Sequence, residues 1–188
     1  MSRLTPFSTI GPFFKLLVRD RPEGMDTLTT AATRGDRITV TRTLLDGAAA
    51  PVDDGLIEIW QADAGGRYVH AEDARASECD PAFGGFGRVA TGRPGTFTFH
   101  TIRPGRVAGP DGRLQAPHIL VSVMARGIMS RCWTRMYFED DPANAEDVVL
   151  QQVPDARRST LLARSIAPGQ YRFDIVIQGE RETVFFEA

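Results

Sequence analysis

The chain is 188 residues long, 42% hydrophobic and 24% charged, a composition that suits one globular domain with a core of its own and excludes a disordered or fibrous chain. A formal net charge of −2 and a pI near 5.9, with no basic tail at either end, leave no general attraction for nucleic acid or anionic lipid. The two cysteines, Cys79 and Cys132, lack CxxC spacing, so neither a zinc ribbon nor a disulfide framework is indicated, and reduced thiols in a cytoplasmic protein are expected.

Residues 1–35 show little periodicity, and their Pro and Gly content predicts an extended arm laid over the body or a neighbouring chain. Within the arm, "FFKLLV" is too short to cross a bilayer and lacks the frame of a signal peptide. From residue 36 onward, short period-two segments recur between turn residues: "RITVTRTLL" from Arg37, "GLIEIWQA" from Gly55, "GTFTFHTI" from Gly95, "HILVSVMA" from His118, "TRMYF" from Thr134, "YRFDIVIQ" from Tyr171 and "ETVFFEA" at the end. In "YRFDIVIQ", Tyr171, Phe173, Ile175 and Ile177 point one way, which describes a strand with one buried face. One stretch reads helical, residues 144–165, divided or bent by Pro154. The pattern predicts an all-β sandwich or barrel with a short helical insertion, as one domain over residues 1–188.

Chemistry is sparse when motifs are taken singly. His70, His100 and His118 occur without a GxSxG elbow, so nothing local supports nucleophilic hydrolysis. "GGFG" at 84–87 lacks the lysine of a phosphate loop and reads as a tight turn. Neither HxH nor HxxxH is present, and "EDD" at 139–141 reads as a solvated acidic turn, so no metal is expected on this chain. Lys15 is the only lysine; the other basic residues are arginines, rigid forks suited to carboxylates.

Taken together, "LIEIWQADAGGRYVH", "FGGFGRVATGRPGTFTFHTIRPG", "APHILVSVMARG" and "TRMYFEDD", in this order and from "TIGPFF" through to the "YRFDIVIQGERETVFF" tail, resemble the intradiol ring-cleaving dioxygenases, and within them the subunit that carries no iron. The resemblance implies an antiparallel β-sandwich. It also implies a ferric ion held by two tyrosines and two histidines in a homologous beta subunit, and a reaction converting protocatechuate and O2 to 3-carboxy-cis,cis-muconate in the β-ketoadipate route. At the positions matching those four ligands, this chain carries Arg75, Val107, His118 and Leu120. Three of the four ligands are missing, and ferric iron depends on anionic oxygen donors that arginine, valine and leucine do not supply.

The resemblance further implies that this chain completes the partner's pocket through Thr9, Gly11 and Pro12 in "TIGPFF" and through Arg126 in "MARG". A guanidinium suits the carboxylate of protocatechuate, Gly11 leaves room for a flat ring, and Pro12 fixes the wall. Trp60 and Tyr68 are expected to serve packing. Arg88, His100 and Arg135 are expected near the cavity left without metal, with Arg75 filling part of the vacated space beside an acidic or carbonyl partner. Two other readings fit the same residues: a stand-alone dioxygenase with unusual ligands, and a noncatalytic binding sandwich.

Overall fold

A computed structural model describes residues 25–109, 111–129 and 132–186. Nine strands form in chain order: β1 Arg37–Leu45, β2 Leu56–Trp60, β3 Phe86–Ala90, β4 Thr96–Ile102, β5 His118–Met124, β6 Cys132–Phe138, β7 Leu162–Ala167, β8 Gln170–Arg172 and β9 Ile175–Val176. Neighbours run β3-β2-β5-β6-β7-β8-β1-β4, with β9 beside β1. The path folds back on itself through β7. Leu162 and Ala163 pair with β6, whereas Arg164 to Ala167 pair with β8, so this strand leaves one layer and enters the other.

Alternation explains why the two layers stick. Ile38, Val40 and Leu44 of β1 and Phe97 and Phe99 of β4 face Ile57 and Ile59 of β2, Ile119, Val121 and Val123 of β5, and Met136 and Phe138 of β6 in one buried cluster. Each such side chain contributes on the order of 1.5–3 kcal/mol by leaving water. The sheet is not purely antiparallel, contrary to expectation: β1 runs parallel to β8 and β9, and β6 runs parallel to β7. The layer crossing at β7 accounts for this, because a strand arriving from a long connection enters with either direction open to it. Residues 25–29 lie across the two free edges: Arg88 donates its N–H to Met25 O at 2.7 Å, and Leu28 donates to His100 O at 2.8 Å. This covers edges that would otherwise invite pairing with another chain.

Three local expectations change. The turn read at 84–87 runs into a strand: Phe86–Ala90 is β3, and its pairing with β2 supplies what periodicity alone did not signal. The strand expected from Tyr171 to Gln178 is broken at Phe173–Asp174, although Tyr171, Phe173 and Ile175 are buried as the alternation requires. Among the described residues the terminal "ETVFF" segment forms no named strand, and its β pairing is an isolated bridge of Trp133 with Phe186.

The helical stretch is shorter and more fragmented than 144–165. It consists of 3-10 turns at Pro142–Ala145, Leu150–Gln152 and Ser159–Leu161 around one four-residue helix, α1, Asp155–Arg158, and residues from Leu162 onward are strand. Pro154 stands as the N-cap of α1, where its missing N–H costs nothing. Ala143, Leu150, Val153 and Leu161 pack on Ala116 and Tyr137, so the insertion seals the start of β5. Among the described residues no helix is long and apolar enough to cross a membrane.

Candidate functional site

His118 opens β5 directly opposite Tyr137 of β6, with ring centroids 5.6 Å apart. Its Nδ1–H donates to Ala116 O at 2.8 Å, and the ring is buried. Burial, reinforced by the nearby Arg135 cation, lowers the imidazole pKa to about 4, so His118 is neutral at ordinary pH. Tyr137 donates its O–H to Asp147 Oδ1 at 3.1 Å, and burial pushes this phenol well above its usual range. Fully buried Asp147 also accepts the N–H of Ala116 at 2.7 Å, of Val149 at 3.0 Å and of Leu150 at 2.8 Å, which ties the insertion to the strand carrying His118.

Leu120 lies opposite both Trp60 and Arg135 in register. The half-buried Arg135 donates to Gln115 Oε1 at 2.6 Å and to Tyr137 Oη at 3.4 Å. Val107 is buried, its carbonyl accepting the N–H of Gln115. Arg75 precedes a 3-10 turn, Ala76–Glu78; its Nη2–H donates to Gly66 O at 2.9 Å and its Nε lies 3.4 Å from Asp73 Oδ1. Its partners are thus a carbonyl and a carboxylate, as a partly buried guanidinium requires. Gly66 has φ +73, and a side chain there would collide with the Arg106 carbonyl, so glycine holds this acceptor in place. Asp73 also accepts the Tyr68 N–H, and these backbone hydrogen bonds hold its carboxyl below the usual range.

A cavity of about 580 Å³ opens here, lined by Trp60, Tyr68, His70, Asp73, Arg75 and Ala108 among others. Trp60 stacks on Tyr68 at 5.8 Å and 10°, and His70 meets Trp60 edge-on at 6.3 Å. The residues present do not fit a ferric ion. Val107 and Leu120 offer no donor, Arg75 is a cation, and the Tyr68 and Tyr137 phenols are held protonated by burial rather than ionised. Among the described residues no three His, Cys, Asp or Glu side chains gather as a metal-holding group.

Arg135 stands beside His118 and Tyr137, whereas Arg88 and His100 do not line the cavity. Arg88 forms an ion pair with Glu58 across the β2–β3 ladder, and His100 meets Thr39 Oγ1 at 3.0 Å on the β1–β4 ladder. "EDD" is not simply solvated either. Arg103 binds Asp140 at 3.0 Å and Asp141 at 2.9 Å and lies over the Phe138 ring, while Glu139 accepts the Ser165 N–H. His70, Gln115 and Asp147 were missed because only the tertiary fold brings them to the site. Cys79 and Cys132 are half-buried thiols, and burial raises the pKa of both. Thr9, Gly11 and Pro12 lie outside the described residues.

Arg126 follows the other end of β5, eight residues beyond His118 and therefore roughly 25 Å away along an extended strand. Gly127, at φ +86, turns the chain there. The Arg126 side chain is 80% exposed, and its Nε lies 3.0 Å from Asp54 Oδ2. It is thus remote from the cavity beside Arg75 and presented outward.

A two-layered β fold with an open cavity beside Trp60, Tyr68 and Arg75 defines the class, and the Dioxygenase family profile matches residues 11–179. The chain belongs to the intradiol dioxygenase family. It is 40% identical to the protocatechuate 3,4-dioxygenase alpha chain of Burkholderia cepacia, over 97% of this chain and 96% of that one. It is also 40% identical to the beta chain from Burkholderia cepacia, over 79% of this chain and 67% of that one. The dioxygenase domain of a dioxygenase carbohydrate-binding fusion from Streptomyces sp. SirexAA-E superposes with TM-score 0.62 at 32% identity, covering 93% of this chain and 98% of that one.

Proposed function

We propose that this chain is the non-iron-bearing alpha subunit of a heteromeric protocatechuate 3,4-dioxygenase that converts protocatechuate and O2 to 3-carboxy-cis,cis-muconate in the cytoplasm. The observation that carries the reading is the pairing of near full-length identity to an alpha chain with ligand-equivalent positions, Arg75, Val107, His118 and Leu120, that offer no anionic donor. Ferric iron then belongs to the beta subunit. Relatives of both kinds match this sequence, as expected of two subunits descended from one sandwich.

This chain's share of the work is orientation. Protocatechuate carries a carboxylate that must be held while its two hydroxyls face the reacting centre. Arg126 engages Asp54 through Nε, which leaves its terminal N–H groups for a substrate carboxylate at the partner's pocket. Thr9, Gly11 and Pro12 are assigned the adjoining wall on the family resemblance. Separate expression followed by metal analysis tests the division of labour: the lone chain is expected to hold almost no iron and to cleave nothing, while the co-expressed pair is coloured and active. Stoichiometric iron in the lone chain sinks the proposal.

A further inference from the structure

Arg164 of β7 and Arg172 of β8 are directly opposite each other in antiparallel register. Side chains so placed share one face of the sheet at close range, and like charges there destabilise the pair. Both line a cavity of about 320 Å³, joined by Arg181 from the loop that follows β9, with buried Phe173 and Thr183 behind them. Asp174 is the carboxylate in its lining, and it is already divided between two cations: Arg172 Nε at 3.0 Å and Arg42 Nε at 3.8 Å. Arg42 points inward from β1, and its buried Nε has no hydrogen-bond partner. Among the described residues, neither Arg164 nor Arg181 has a carboxylate within ion-pair distance. Three guanidiniums thus line a cavity with one carboxylate, itself shared with Arg42, in a chain whose overall charge is −2.

We propose that this cavity binds a small, multiply charged anion bearing carboxylate or phosphate groups, held by Arg164, Arg172 and Arg181. The volume lies at the lower end of small-molecule sites, roughly 300–1,000 Å³. Guanidinium forks bind both groups bidentately. An anion between the two strands also removes the repulsion that their register builds in. The proposal is independent of the dioxygenase reading, because none of these side chains lines the cavity beside Trp60 and Tyr68.

The test is calorimetric titration of the co-purified heteromer with inorganic phosphate and, separately, with citrate, at ionic strength held constant with sodium chloride. Wild type is expected to show one saturable site per copy of this chain for at least one of the two anions, and whichever titrates names the source chemistry. Arg164→Gln, and Arg181→Gln on the exposed loop as a variant that leaves the sheet untouched, are each expected to weaken that site about tenfold or more, the worth of one charged hydrogen bond. Ligand-free Arg164→Gln is expected to melt no lower than wild type, since a like-charge pair is removed. Heats reproduced by sodium chloride alone, or unchanged in both variants, overturn the proposal.

Discussion

The two ends of β5 stand in contrast. At its start, Tyr137, Asp147, Gln115 and Arg135 spend their polar groups on one another and His118 bonds the Ala116 carbonyl, sealed under the 142–161 insertion. Just past its end, Arg126 sits on an exposed turn with one ion pair and free terminal nitrogens. The first region has the bonding of a core; the second has the bonding of a surface residue. A cavity that loses its ligands is stable only if the remaining polar atoms find partners within the chain. A group meant for a neighbouring chain must instead stay uncommitted.

The sharpest way to break this contrast is Asp147→Ala. It strands the Tyr137 hydroxyl and three backbone N–H groups in a buried setting, and a loss of about 3–5 kcal/mol is expected from urea unfolding. A loss below about 1 kcal/mol would mean that the insertion is not anchored there. His118 predicts a pH effect next in size. Because folding lowers its pKa from 6.5 to about 4, the unfolded chain takes up the proton first. Its contribution is therefore intact above pH 6.5, falls as pH drops toward about 4, and changes no further below that. The drop is roughly 3 kcal/mol and should be missing in His118→Gln when the two pH–stability curves are subtracted. Parallel curves would place His118 in a wetter setting than the one described.

At the other end of the strand the expected effect is on substrate, not on folding. In the active heteromer, Arg126→Ala should raise KM for protocatechuate about tenfold or more and leave a catechol without the carboxylate nearly unchanged. Equal changes for both substrates would assign Arg126 a structural part. The smallest effect expected is that of the same substitution on stability, within about 0.5 kcal/mol in thermal melts, because exposed ion pairs contribute little.

Much of this was readable in the chain itself. Arg37–Leu45 matches its period-two segment end to end, because alternation reports a face buried on one side only. The residue types at Arg75, Val107 and Leu120 were equally legible, since whether a side chain offers an anionic donor needs no geometry. β3 was not legible, because "FGRVA" is short, starts inside the glycine-rich 84–87 stretch and becomes a strand only through β2, nor was the break at Phe173–Asp174.

Sequence by itself therefore determined the family and the β-rich core, which follow from side-chain chemistry and local period. Tertiary structure alone decided which polar groups satisfy one another. Gly66 and Asp73 hold Arg75, Gln115 holds Arg135, Asp147 joins the insertion to β5, and Arg164 faces Arg172 across a pocket. These pairings span from two to 31 residues of chain, and none follows a period of the sequence. Hydrogen bonds and charges act over a few ångströms of space, and only the folded arrangement of strands sets those distances.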